Sequence, residues 1–192
     1  MIDKALEVIV DEYNAFFLTR QGVATGEKRM ILSPVITVDG KIATHAESLG
    51  LSLVNIVEDK NSNNPFVYNK ADDDKVELVN SAVNLNVYVL IVANFSNYKE
   101  ALKAVSSVIL CFQAKSVFTT QNTPDMDASL QRLVMDLYTP DLQQQHYIWG
   151  MLGTHYMPSV MYRMRMLSLQ SSVPLEKHTK GARVNTNLSW KK

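Results

Sequence analysis

Ile2, Ala5, Leu6, Ile9, Tyr13, Phe16 and Phe17 recur at steps of three and four, while Asp3, Lys4, Glu7, Asp11 and Asn14 fill the other side. That spacing predicts an amphipathic helix ending near Gly22. "RMILSPVITV" and "LSLVNIVED" then read as two strands, with "DGK" between Val38 and Ile42 as a turn and Pro34 marking an edge or a bulge. "DKNSNNPFVYNKADDDK", from Asp59 to Lys75, has no apolar period and predicts a surface loop or insertion. Val83 to Phe95 is apolar on both alternating faces, as expected of a central strand covered on both sides.

Ser96 or Asn97 is positioned to cap a second helix, with Tyr98, Ala101, Leu102, Val105, Ile109 and Phe112 as its buried stripe. "SVFTTQNTPDMD" reads as a loop, and "LQRLVMDLY" as a strand with Leu133, Met135 and Leu137 on one face. Thr139, Pro140 and Asp141 form a helix start, and the helix they open stops at Gly153. Tyr156 to Gln170 is β-compatible, with Arg163 and Arg165 on the same face as Met161, Leu167 and Leu169. An arginine pair on a strand face requires either water or a partner. These elements predict one α/β (α+β) domain over residues 1–170, a mixed sheet of about four to six strands flanked by three main helices. Residues 171–192 lose the period and gain Lys177, Lys180, Arg183, Lys191 and Lys192 against Glu176, which predicts a basic C-terminal arm.

Composition narrows the function classes. Lys plus Arg and Asp plus Glu number 19 each, so no net field draws the chain to nucleic acid or an anionic membrane. Charges within "MIDKALEVIVDEYNAFF" exclude a secretory h-region, and no run of apolar residues is long enough to span a bilayer. The expectation is synthesis in the cytosol. Cys111, the single cysteine, falls in an apolar helical run and reads as a buried inert thiol.

Candidate chemistry is sparse. "GVATGEK", from Gly22 to Lys28, lacks the glycine spacing and Gly-Lys-Ser/Thr ending of a phosphate loop and reads as a turn. His45, His146, His155 and His178 lack metal-pair spacing, and Asp72, Asp73 and Asp74 lack the alternation of a calcium loop. With no nucleophile elbow either, the chain reads as non-enzymatic, without cofactor or metal. What stands out is the last third, with Met161, Met164 and Met166 near Tyr147, Trp149, Tyr156 and Tyr162. Those residue types are enriched where proteins meet, and they also fill cores.

"MIDKALEVIVDEYN", "LSLVNIVED", "NLNVYVLIVANFSNYKEALKAVSSVILCFQ", "VFTTQNTPDMD" and "WGMLGTHYMPSVMYRMRML", in this order, resemble the tail-terminator or cap proteins of contractile injection systems over residues 1 to 169. The resemblance implies a tail-terminator-like fold and a homo-hexameric ring on the inner tube protein that blocks further addition and faces the last ring of sheath protein. It also implies a particle that is released or held at a membrane. The alternative is an adaptor joining the particle end to a membrane or cargo component. Some family members resemble this chain only in their first part and continue further, so a second cap paralogue is an expected partner. The candidate interface residues are Tyr156, Arg163, Arg165, Lys177, Arg183, Leu188 and Trp190. The arm is expected to add a strand to a neighbour's sheet.

Overall fold

In the computed structural model, which describes residues 1–21, 29–59, 66–72, 75–80, 83–127, 130, 132–169 and 176–179, the first periodic segment is helix α1 (Ile2–Gln21). Strands β1 (Met30–Leu32), β2 (Ser48–Glu58), β3 (Phe66–Asp72), β4 (Lys75–Asn80) and β5 (Val83–Asn94) follow. Helix α2 (Tyr98–Ala114), β6 (Val117–Thr119), β7 (Arg132–Tyr138), helix α3 (Leu142–Leu152), β8 (Ser159–Leu169) and β9 (Glu176–Thr179) complete the order. Six strands form a sheet in the order β1-β2-β5-β8-β7-β6, and three form a second sheet in the order β3-β4-β9. The β1–β2 pair is parallel and every other pair antiparallel, so the larger sheet is mixed.

β5 lies inside the larger sheet between β2 and β8, where its two apolar faces require it. Val87, Val89, Ile91 and Ala93 pack with α1 and α2, while Leu90 and Val92 join Trp149 of α3 in a separate cluster. The result is three layers: two helices, the sheet, and one helix on the opposite face.

Several sequence expectations are corrected. Pro34 has no backbone N–H and follows β1, an edge strand of only three residues whose pairing with β2 ends beside the Ser33 N–H···O=C Leu51 bond (3.1 Å). "VITV" is not strand; it leads into a Thr37–Lys41 turn beside the Ile36–Ile42 bridge. The Asp59 to Lys75 segment is not all loop, because Phe66–Asp72 pairs as a hairpin with β4, and residues 60–65 lie outside the described residues. Backbone pairing there proceeds despite a polar sequence. "SVFTTQNTPDMD" likewise opens with β6, held at the sheet edge by β7.

The buried stripe of α2 is Ala101, Ala104, Val108, Cys111 and Phe112, rotated from the expected one, with Tyr98 and Leu102 exposed. Two alanines let the helix axis come close to the sheet, and a hydropathy pattern underrates alanine as a core residue. Asn97 is the N-cap, its side chain accepting from the Lys99 N–H at 3.0 Å. Asn14, expected on the polar side of α1, is buried.

The start of the basic arm is a strand of its own chain's smaller sheet: β9 pairs with β4, with Lys177 opposite Glu77. Arg183, Leu188 and Trp190, like the Gly22 to Lys28 turn, lie outside the described residues.

Candidate protein interface

α3 reads LQQQHYIWGML and carries no Asp, Glu, Lys or Arg in eleven residues. Its ends are tightly specified. Asp141, not Thr139, is the N-cap, so Pro140 precedes the cap; the Asp141 carboxylate accepts from the Gln144 N–H at 2.7 Å and the Gln144 side chain accepts from the Asp141 N–H at 3.2 Å. Gly153 ends the helix in the left-handed region at φ 68°, which strongly favours glycine.

α3 buries Trp149 against Leu90, Val92, Met157 and Met161. Its outer side leaves Leu142 86% and Met151 67% exposed, together with Tyr147. Between α3 and the sheet runs a groove of about 550 Å³ lined by Val54, Tyr88, Tyr138, Tyr147, Ile148 and Met151, among others. Tyr88 and Tyr138 meet edge to face at 5.1 Å. The candidate residue Tyr156 is exposed and stands edge to face on Trp149 at 5.7 Å, extending the aromatic surface past the end of α3. An uncharged helix with exposed Leu, Tyr and Met has the composition of an interface core.

Beside α3 the same sheet face turns polar. Register places Arg163 between Tyr88 on β5 and Asp136 on β7, and Arg165 between Asn86 and Val134. Both arginines meet the one carboxylate: Arg163 Nη2 at 3.1 Å and Arg165 Nε at 2.8 Å, each from Asp136 Oδ2. Arg163 Nε is buried without a hydrogen-bond partner. The pair thus has a partner within its own chain, and the two side chains keep about half their surface in solvent.

Tyr156, Arg163 and Arg165 are the candidates named from the sequence that fall among the described residues of this face; Asp136, which pairs with both arginines, is set beside them by the β7–β8 register. Sequence reasoning missed a second exposed apolar strip, Tyr98, Leu102 and Leu110 on α2, at near-helical spacing. Lys177 is on β9, in register with Glu77 of β4.

Two buried titratable groups lie between α2 and the sheet. Burial, with Glu12 nearby, pushes the Cys111 thiol up to about 12, and burial does the same to the Tyr162 phenol. A protonated, enclosed thiol is a poor nucleophile. Among the described residues no group of three or more His, Cys, Asp or Glu could hold a metal ion, and no helix is long and apolar enough to cross a membrane.

The profile of the Pvc16 N-terminal domain family matches residues 2–179. The chain belongs to the Pvc16 N-terminal domain family. This agrees with the tail-terminator and cap resemblance carried by residues 1 to 169. The whole chain superposes on the sheath/tube terminator, in its extended state, of an extracellular contractile injection system named PVC, with a TM-score of 0.64 and 12% identity. It also superposes on the tube-terminating cap of the anti-feeding prophage, with a TM-score of 0.56 and 16% identity. The chain spans 64% and 60% of the lengths of those two chains. Sequence comparison with curated proteins finds no match.

Proposed function

We propose that this chain is a structural component that caps the inner tube of a contractile injection system, forming a homo-hexameric ring on the last tube ring and facing the last ring of sheath. The observation that carries this reading is the match of residues 2–179 to the Pvc16 N-terminal domain family. Superposition of the whole chain on two proteins named as terminators supports it. An uncharged helix with exposed apolar residues and a half-solvated arginine pair are surfaces suited to protein contacts, which supports the reading.

In this role the cap occupies the surface where the next tube ring would add, and elongation stops for want of a free end. A closed ring needs two unlike contact faces on each subunit, because each copy gives one face and receives the other. The test is deletion of the gene followed by imaging of the particles. Tubes and sheaths of unregulated length, or with unstable ends, are expected. Particles indistinguishable from wild type would reject the reading.

A further inference from the structure

The nine methionines of the chain divide sharply by exposure. Met1 and Met151 apart, all are buried, and the most accessible of the buried ones, Met157, is 8% exposed. Met161, Met164 and Met166, close together on β8, belong to the two core clusters. Met1 is 38% exposed at the start of the chain, and Met151, in the last turn of α3, is 67% exposed. One internal methionine therefore keeps its side chain in solvent.

Its surroundings make that position consequential. Gln144, Tyr147, Ile148 and Met151 recur at steps of three and four, the spacing of one helical face, and all four line the groove of about 550 Å³ between α3 and the sheet. The helix has no charged residue. Met151 and Tyr147, one turn apart, are the large exposed side chains of that face, so a polar group placed on Met151 removes a substantial part of its apolar area.

A thioether sulfur has a lone pair that attacks one oxygen of a peroxide. An S–O bond forms, the O–O bond breaks, and the departing oxygen takes the proton and leaves as water. The thioether is oxidised to a sulfoxide, and the peroxide is reduced by two electrons. The step needs contact between sulfur and oxidant, which burial denies to the core methionines. Cys111 is closed to the same reagent, because it is buried and its enclosure favours the unreactive thiol.

We propose that Met151 is the chain's site of oxidation by peroxides, and that its sulfoxide turns the groove wall of α3 from an apolar surface into a polar one, reversibly through methionine sulfoxide reductase. The uncharged face that suits protein contacts is thereby the part of the molecule that an oxidant changes first. The inference is independent of the cap reading, since the surface changes whatever it touches.

The experiment treats the full folded chain with dilute hydrogen peroxide and follows it by peptide mass mapping. Met151 is expected to gain an oxygen faster than any buried methionine by on the order of tenfold, in line with their exposures, with Met1 intermediate. Retention on a hydrophobic-interaction column reads the surface, and circular dichroism checks the fold of each protein. Wild type is expected to lose retention as Met151 is oxidised and to regain it after treatment with methionine sulfoxide reductase. Met151→Leu, of similar volume, is expected to keep its retention through the same peroxide treatment. Met151→Gln, with an amide in place of the sulfoxide, is expected to elute early without peroxide. A buried methionine oxidised as fast as Met151, or a wild type whose retention is unchanged once Met151 carries oxygen, overturns the proposal. So does a folded Met151→Leu that loses retention as wild type does, which would place the change at another methionine.

Discussion

The side chain of Asn14 on α1 holds the backbone of Met30 on β1 from both ends of its amide: Nδ2 donates to the Met30 carbonyl at 2.9 Å, and Oδ1 accepts from the Met30 N–H at 2.9 Å. One residue of the helix thereby takes the place of the strand that edge strand β1 lacks on its outer side. Both the side chain and its target are buried. Asn14→Ala is expected to leave a buried donor and acceptor unpaired and to cost about 3 kcal/mol. Asn14→Asp is expected to recover little, since a carboxylate can accept from the N–H but repels the carbonyl. Urea unfolding of the three proteins checks this; a loss within error of zero for Asn14→Ala would show that β1 does not depend on the clamp.

Asp136 between Arg163 and Arg165 is a partly exposed cluster, so its contribution to stability is small. Asp136→Ala is expected to cost about 1 kcal/mol, less in high salt, where the wild-type attraction is screened. Urea midpoints at low and high salt report the difference. A loss several times larger, and insensitive to salt, would place these charges in a more enclosed setting than the structure shows.

Gly50 on β2 has no room for a side chain. A Cβ there would collide with Thr44 Oγ1, come within 2.8 Å of Thr44 Cγ2 and within 2.9 Å of Ser33 Oγ. Gly50→Ala is expected to destabilise by about 2 kcal/mol through overpacking against the segment that returns from β1 to β2. Adding Thr44→Ala is expected to restore part of the loss, a coupling that a double-mutant cycle measures. Independent, additive losses would rule out the contact as the cause.

How much was legible beforehand follows the length of each apolar pattern. α1 and β5 announced themselves because Ile9 and Tyr13, or Val89 and Leu90, each lie in a run of period 3.6 or a run buried on both faces. β3, β6 and β9 did not, because strands of three to seven residues held by backbone pairing at an edge need little apolar content. Asn14 was placed on the wrong side because a buried amide looks polar to any hydropathy pattern, and only the position of Met30 reveals its partner. The Arg163–Asp136 pairing needed a register between β7 and β8 that spacing alone does not set.

Cys111 and Tyr162 give a defined response to alkali. Their ordinary values are 9.0 and 10.0, and both are raised to about 12 in the folded chain, chiefly by burial. The unfolded chain therefore releases these protons first. Their contribution to stability is full below pH 9.0 and is lost as pH rises toward about 12. Urea midpoints are expected to fall across that window, and Cys111→Ala is expected to remove part of the slope. The same burial keeps the native thiol unreactive toward alkylating agents until the chain unfolds. Rapid labelling of Cys111 in the native protein would contradict its placement between α2 and the sheet.

Cryo-electron microscopy of intact particles carrying this chain tests the proposed ring at the end of the tube most directly. Six copies in one ring, seated on the terminal ring of the inner tube and absent elsewhere, are the predicted result. Copies along the sheath, at the opposite end of the particle, or in a ring without tube contact would contradict it.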